Sequence, residues 1–392
     1  MSDLLAAALA HRLARVLGLT TLALPALAAA ACGGDVVVDG AGGSSTTTGS
    51  TATGSGTGGS LPACIGQPAC LPVGPPGPSH LVCFTPAAGQ TCPEPSQASS
   101  FLMVGCAQIT AVQAACSGGP AGSCCYNVTV ECTCVGRPLM VDGAARTAKA
   151  LRGGGRGWQR SDAGDVSDLP PATRRALAAV FAEDALGEHA SIASFSRFAL
   201  ELMALGAPAD LVAGAHRAAL DEVRHAQITF GLASAFLGSP LGPGQLACDA
   251  LPLRADLASF AQALAVEGCV GETLAAILAS ARAEAATDGR VAGSLASIAE
   301  DEARHAELAW SALAWVLRVG GNEVGRLAFA ALSREVARVL AAPPRAAGCL
   351  DLRDFGVLSP REVSQSLTAG IAVIVEPCAR SLRRAAVEGP CG

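Results

Sequence analysis

Two nearly identical hexapeptides constrain this chain more than any other feature. Asp221-Glu222-Val223-Arg224-His225-Ala226 and Asp301-Glu302-Ala303-Arg304-His305-Ala306 share five of six residues and lie 80 positions apart. Each sits in a long Ala- and Leu-rich stretch with helical periodicity. Glu and His at i and i+3 fall on one helical face, about one turn apart. Two such faces turned inward each offer a carboxylate oxygen and an imidazole nitrogen to a metal. A lone Glu-x-x-His means little, but two copies read as a repeated helix pair. The repeat predicts partners: Glu188 precedes Glu222 by 34 residues, and Glu267 precedes Glu302 by 35.

Both partner acids fall on apolar stripes. Phe181, Ala185, Glu188, Ile192, Phe195 and Leu202 follow the spacing of a buried face, as do Phe260, Leu264, Glu267, Val270, Leu274 and Leu278. A buried, unpaired carboxylate is costly, and metal coordination offsets that cost. The predicted ligands are Glu188, Glu222, His225, Glu267, Glu302 and His305, with Glu222 and Glu302 as bridges between two metals. Glu272 lies five residues past Glu267, about 140° round an α-helix. It is expected to face away and is the first substitute for Glu267. Glu183, Glu201, Glu284 and Glu307 read as solvated, and His189 and His216 as ordinary polar residues.

The surrounding pattern predicts a mainly α fold. Helices are expected over about 172–205, 208–237, 255–286 and 291–319, the last closed by Gly320-Gly321. Short links make two antiparallel hairpins, and the long link between them makes a crossover. A C-terminal extension, 321–392, should add helices over about 323–341 and 360–387, with a break near Pro377. The helical region is thus 171–320, preceded by a Gly- and Arg-bearing connector, 136–170.

The N-terminal third has another texture. Residues 1–31 carry basic His11, Arg12 and Arg15 and an uncharged run from Val16 to Ala31. This reads as a signal peptide, with Ala29-Ala30-Ala31-Cys32 resembling a lipobox that would place a lipid on Cys32. Residues 32–60 are a Gly-, Ser- and Thr-rich tether. Residues 61–135 hold ten of the sixteen cysteines: Cys64, Cys70, Cys83, Cys92, Cys106, Cys116, Cys124, Cys125, Cys132 and Cys134. No Cys-x-x-Cys pair occurs there, so disulfides are expected rather than zinc. Tyr126–Val130 reads as a strand. Of the remaining cysteines, Cys269 is expected to be a free buried thiol. Cys248, Cys349, Cys378 and Cys391 are expected to form two disulfides. These features place the chain in the cell envelope, touching the membrane only through its lipid anchor. A net charge of -6 carries no footprint for nucleic acid.

The E…ExxH…E…ExxH order resembles the ferritin-like di-iron carboxylate superfamily, over about 150 of 392 residues. The longer DExRH form is similar to the repeated motif of bacterial multicomponent monooxygenase hydroxylases. The resemblance implies a ferritin-like four-helix bundle with two iron ions, or two manganese ions, that reacts with dioxygen or peroxide. It also implies that Asp221 and Asp301 orient the imidazoles and that Arg224 and Arg304 hold those acids. The single tyrosine, Tyr126, lies outside the bundle, which argues against a tyrosyl-radical role. An oxidase, peroxidase or oxygenase acting with an unnamed small-molecule oxidant or substrate is one expectation. A structural or partner-binding lipoprotein whose metals only stabilise the helices is the other.

Overall fold

In a computed structural model of the chain, the described residues are 9–13, 79–84, 92, 107–114, 124–132, 136–141, 144–153, 156–160, 164–249, 251–342 and 350–388. They are mainly helical. Helix α1 (Pro171–Ala204) starts at Pro170-Pro171, where a missing N–H costs no hydrogen bond. Helix α2 (Ala209–Leu237) follows Pro208 and ends at Gly238, whose φ of 73° supplies a left-handed cap. Helix α3 (Leu257–Ala285) is capped by Asp256, which accepts the Ser259 N–H at 2.8 Å and contributes about 1 kcal/mol. Its middle, Leu264–Glu272, is π-helical. Helix α4 (Ala292–Ala341) is interrupted at Gly321, φ 71°, where Gly320-Gly321 was expected to end the fourth helix.

Helix α5 (Pro360–Gly370) opens with a Ser359–Glu362 capping box, and α6 spans Glu376–Glu388. The break expected at Pro377 sits just upstream, as a π turn over Ile371–Val375. Pro377 has no N–H, and its ring crowds the carbonyl four residues back, at Val373, so the turn widens there.

In the N-terminal region, β1 (Ser79–Phe84), β2 (Ala107–Ala114) and β3 (Cys124–Cys132) form an antiparallel sheet in the order β1-β3-β2. The strand expected at Tyr126–Val130 lies within β3. Cys92 is bonded to Cys124, and Cys125 is also in a disulfide. The backbones of Cys83 and Cys132 lie in β1 and β3. Cys32, the tether, and Cys64, Cys70, Cys106, Cys116 and Cys134 lie outside the described residues. Residues 9–13, within the segment read as a signal peptide, are helical. Leu9 and Leu13 join the apolar cluster of Leu202 and Trp310, and Arg12 approaches Glu307 at 3.6 Å.

The expected pairing of Cys248, Cys349, Cys378 and Cys391 needs correction. Cys248 is an exposed free thiol and Cys378 a buried one, held in the core with Ile374 and Leu382. Burial pushes the Cys378 thiol up to about 12, which keeps it protonated and inert. Cys349 and Cys391 lie outside the described residues. Cys269 is free and buried as expected, its Sγ 3.6 Å from the Ala309 carbonyl oxygen.

Helix α1 packs along α2, α3 along α4, and α2 touches α4. Their apolar faces make two clusters. One gathers Leu177, Phe181, Ala185, Phe230, Phe236, Val291 and Leu295. The other gathers Phe195, Leu202, Ala219, Phe260, Leu264, Trp310 and Leu313. Along α1, α2 and α4 the predicted ligands fall between these clusters, so a polar layer separates two dry ones. Leu257–Ala285 is apolar and long enough to cross a membrane by composition, yet over half of its most apolar window is buried inside the protein.

The connector is more than a link. Its β4 (Ala150–Arg152) pairs with β5 (Leu241–Pro243) of the α2–α3 crossover. Upstream, Gly136 (φ 95°) donates its N–H to the Gly271 carbonyl at 3.1 Å, and Arg137 is buried in the helices. The approach depends on glycine: a Cβ on Gly271 would overlap the Gly136 carbonyl oxygen, and one on Gly268 would fall on Arg137 Nη2. Gly271→Ala should therefore destabilise the protein by about 1–3 kcal/mol in denaturant unfolding. Gly293→Ala, at a helical site with open space around it, should be neutral or stabilise by up to about 1 kcal/mol.

Candidate metal centre

Helices α2 and α4 each present their Glu-x-x-His face to the polar layer. Glu222, His225, Glu302 and His305 are all at least nine-tenths buried. The Nδ1 atoms of both imidazoles turn toward the acids. His225 Nδ1 lies 3.3 Å from Glu302 Oε1, 3.7 Å from Glu222 Oε2 and 3.9 Å from Glu188 Oε2. His305 Nδ1 lies 3.2 Å from Glu222 Oε1, 3.7 Å from Glu302 Oε2 and 3.8 Å from Glu272 Oε2. Glu222 and Glu302 each give one oxygen to each imidazole, the placement a bridging carboxylate needs. The imidazole ring centroids are 5.9 Å apart.

The structure thus brings together five of the six expected ligands, Glu188, Glu222, His225, Glu302 and His305, and corrects the sixth. Glu267 does not reach the cluster: Oε1 accepts from Arg254 Nη2 at 2.6 Å and Oε2 from Arg197 Nη2 at 3.1 Å. Glu272 takes its place. The reason is the π-helix. Hydrogen bonding from i to i+5 widens the turn and brings residues five apart nearly onto one side, whereas an α-helix would set them far apart. Glu267 and Glu272 both face inward, at different levels.

The Asp and Arg residues of the motif are exchanged between its two copies. His225 Nε2 donates to Asp301 Oδ2 at 3.0 Å, and His305 Nε2 lies 3.5 Å from Asp221 Oδ2. Each motif's Asp thus serves the other motif's His. Arg224 and Arg304 each pair with both aspartates. At His225 an Nε2–H held outward by carboxylate leaves Nδ1 as the inward lone pair of a neutral imidazole, the tautomer a ligand requires; at His305 the Asp221 carboxylate faces Nε2 but stands too far away for a hydrogen bond.

Several polar atoms here have no partner: His225 Nδ1, His305 Nδ1, Glu222 Oε2 and Glu272 Oε1. Buried polar atoms are seldom left so. The charges also lack a balance. Asp221 and Asp301 are matched by Arg224 and Arg304, but Glu188, Glu222, Glu272 and Glu302 bring four negative charges to two imidazoles. Two divalent cations would neutralise the four. Two sets of donor atoms lie close enough together to hold an ion, Glu188-Glu222-His225-Glu302 and Glu272-Glu302-His305. On these grounds the residues fit a metal.

Without metal, protons take over that role. Burial, then the charges of Glu222 and Glu302, push Glu188 well up; burial, then Glu302, does the same to Glu272. Burial opposes the charge on His225, but Glu222 and Glu302 outweigh it and raise the imidazole to about 9. His305 is likewise raised against burial, by Asp221, Glu222 and Glu302. Burial would raise Glu222, but the two imidazoles hold it well down.

Some participants were missed in the sequence. Glu201, read as solvated, is buried and paired with Arg254 at 3.3 Å. Arg137 Nε lies 3.7 Å from Glu272 Oε1, with its guanidinium 4.1 Å from the Phe198 ring centroid. No periodic signal marks Arg137, because it comes from outside the helices. No family model matches the chain, and comparison with curated proteins and with solved structures returned no match either.

Three outcomes check the centre. Glu272→Ala should lose bound metal while Glu267→Ala keeps it, by elemental analysis of purified protein. Asp301→Asn should weaken metal binding by about 10–100-fold. Metal uptake should release protons, because the raised His225, His305, Glu188 and Glu272 give theirs up to the ion. The apparent affinity should therefore climb with pH toward about 9 and fall in acid, as calorimetry in buffers of differing ionisation enthalpy would show.

Proposed function

We propose that residues 171–320 form a ferritin-like four-helix bundle holding two iron ions, and that the chain is an exported oxidoreductase acting with dioxygen or peroxide. One observation carries this reading: the two Glu-x-x-His faces share both of their carboxylates and trade their aspartates, an arrangement that only a pair of linked ions uses in full. Carboxylate and imidazole donors, with no thiolate of the described residues turned inward, suit iron or manganese. Bound iron would supply electron transfer and an open position for a small oxidant.

The chain's own residues do the rest. Glu188, Glu222, His225, Glu272, Glu302 and His305 would hold the ions. Asp221 and Asp301 keep the imidazoles in register, and Arg224 and Arg304 keep the aspartates charged and in place. The two apolar clusters keep bulk water away from the polar layer on either side. Glu188 is the most exposed of the four glutamates, with 21% of its side chain open. Its raised carboxyl can carry a proton between solvent and the cluster. The basic leader, the lipobox-like Ala29–Cys32 and the tether support a lipid-anchored envelope protein.

The test uses the full chain loaded with ferrous iron under anaerobic conditions. About two irons per chain should bind, and addition of dioxygen or peroxide should give a change in the visible spectrum that is lost in His305→Ala. Stable metal that never responds to either oxidant would overturn the redox reading and favour a purely structural one.

A further inference from the structure

A second buried polar cluster lies beside the first, separated from it by Arg137. Arg137, Ser194, Arg197, Glu201, Arg254 and Glu267 line a small pocket that is partly open to solvent. Arg254 and Glu267 form its rim, with side chains 23% and 13% exposed. Arg137, Ser194 and Arg197 form its floor and are each at least 97% buried.

The ion pairs within this pocket are incomplete. Arg254 bonds Glu201 and Glu267, and Arg197 bonds Glu267 and the Met140 carbonyl. Three donors remain without a partner: Arg137 Nε, Ser194 Oγ and Arg197 Nε. The nearest carboxylate oxygens are too far to serve, with Arg197 Nε 4.0 Å from Glu201 and Arg137 Nε 3.7 Å from Glu272. Three guanidinium groups share only Glu201 and Glu267, because Glu272 belongs to the metal centre. The pocket is one negative charge short, and each of its free groups can donate a hydrogen bond.

We propose that this pocket binds a small monovalent anion with two or three coplanar oxygens, a short carboxylate or a planar oxyanion. Guanidinium forks match such ligands. The limited free space excludes larger ones. The floor residue Arg137 faces the anion pocket on one side and Glu272 on the other. The charge count assigns Glu272 to the metal centre and to that extent rests on the proposed function, but the site consists of this chain's own side chains and is tested without metal.

The probes are sodium formate and sodium nitrate, titrated into the full chain at constant ionic strength against chloride, with calorimetry and thermal unfolding as readouts. Both should bind saturably at one site per chain and raise the unfolding temperature where chloride does not. Arg254→Gln, at the rim, should weaken binding at least tenfold. Ser194→Ala, which deletes one unpartnered donor with little change in size, should weaken it several-fold. Absence of saturable binding by the unaltered chain would overturn the proposal and leave the pocket to water. Binding that survives both Arg254→Gln and Ser194→Ala would place the anion elsewhere on the chain and overturn it equally.

Discussion

The whole helical region is organised around a concentration of negative charge that its own side chains do not neutralise. Four glutamates converge on two imidazoles between two apolar layers. Carboxylates in such a place must be protonated, paired or bound to a cation. The aspartates show the paired solution, since each has arginine neighbours. Among the described residues only Glu272 of the four glutamates has an arginine within 4 Å, Arg137, and the glutamate oxygens point at the imidazoles. The packing on either side keeps water from resolving the conflict. Stability of the folded chain and occupancy of the site are therefore linked quantities.

The second organising element is the widened turn in α3. Ordinary helical phase would give this helix one inward acid. The π segment gives it two, at different depths, and they do different work. Glu267 anchors Arg197 and Arg254, while Glu272 completes the ligand cluster. The glycines within the segment, Gly268 and Gly271, leave the space that Arg137 and the Gly136 carbonyl occupy. Three features that look separate in the sequence, a glycine pair, a spare glutamate and a connector arginine, are one local structure.

The helices and most of the centre were legible because their signals repeat. The bounds of α1, α2 and α3, the Gly321 break and the inward faces of Glu188, Glu222 and Glu302 all follow from periodicity and from the duplicated motif. Glu272 was hidden because helical wheel reasoning assumes a constant 100° step, and the step is smaller through Leu264–Glu272. The reciprocal pairing of Asp221 with His305 and Asp301 with His225 was half visible. The residue types were readable from the motif, but their exchange depends on how two helices are juxtaposed. Arg137 was invisible for another reason: its contact joins residues 135 positions apart, and nothing in the local pattern at 137 announces burial. The free thiols of Cys248 and Cys378 show the weakness of parity as an argument, since counting cysteines says nothing about where they lie.

The depth to which Gly136-Arg137 enters the helices bears on where this protein divides. By texture the boundary falls at Pro171, where the glycine-rich connector gives way to long helices. By packing it falls some thirty-five residues earlier, since the chain at 136–141 supplies a buried cation, a backbone bond to α3 and the Met140 carbonyl that receives Arg197. A fragment excised at the visible seam would keep all six acids and imidazoles yet expose the floor of the neighbouring pocket. The cysteine-rich segment and the helices are consequently not interchangeable cassettes: the strip joining them is an internal part of the second.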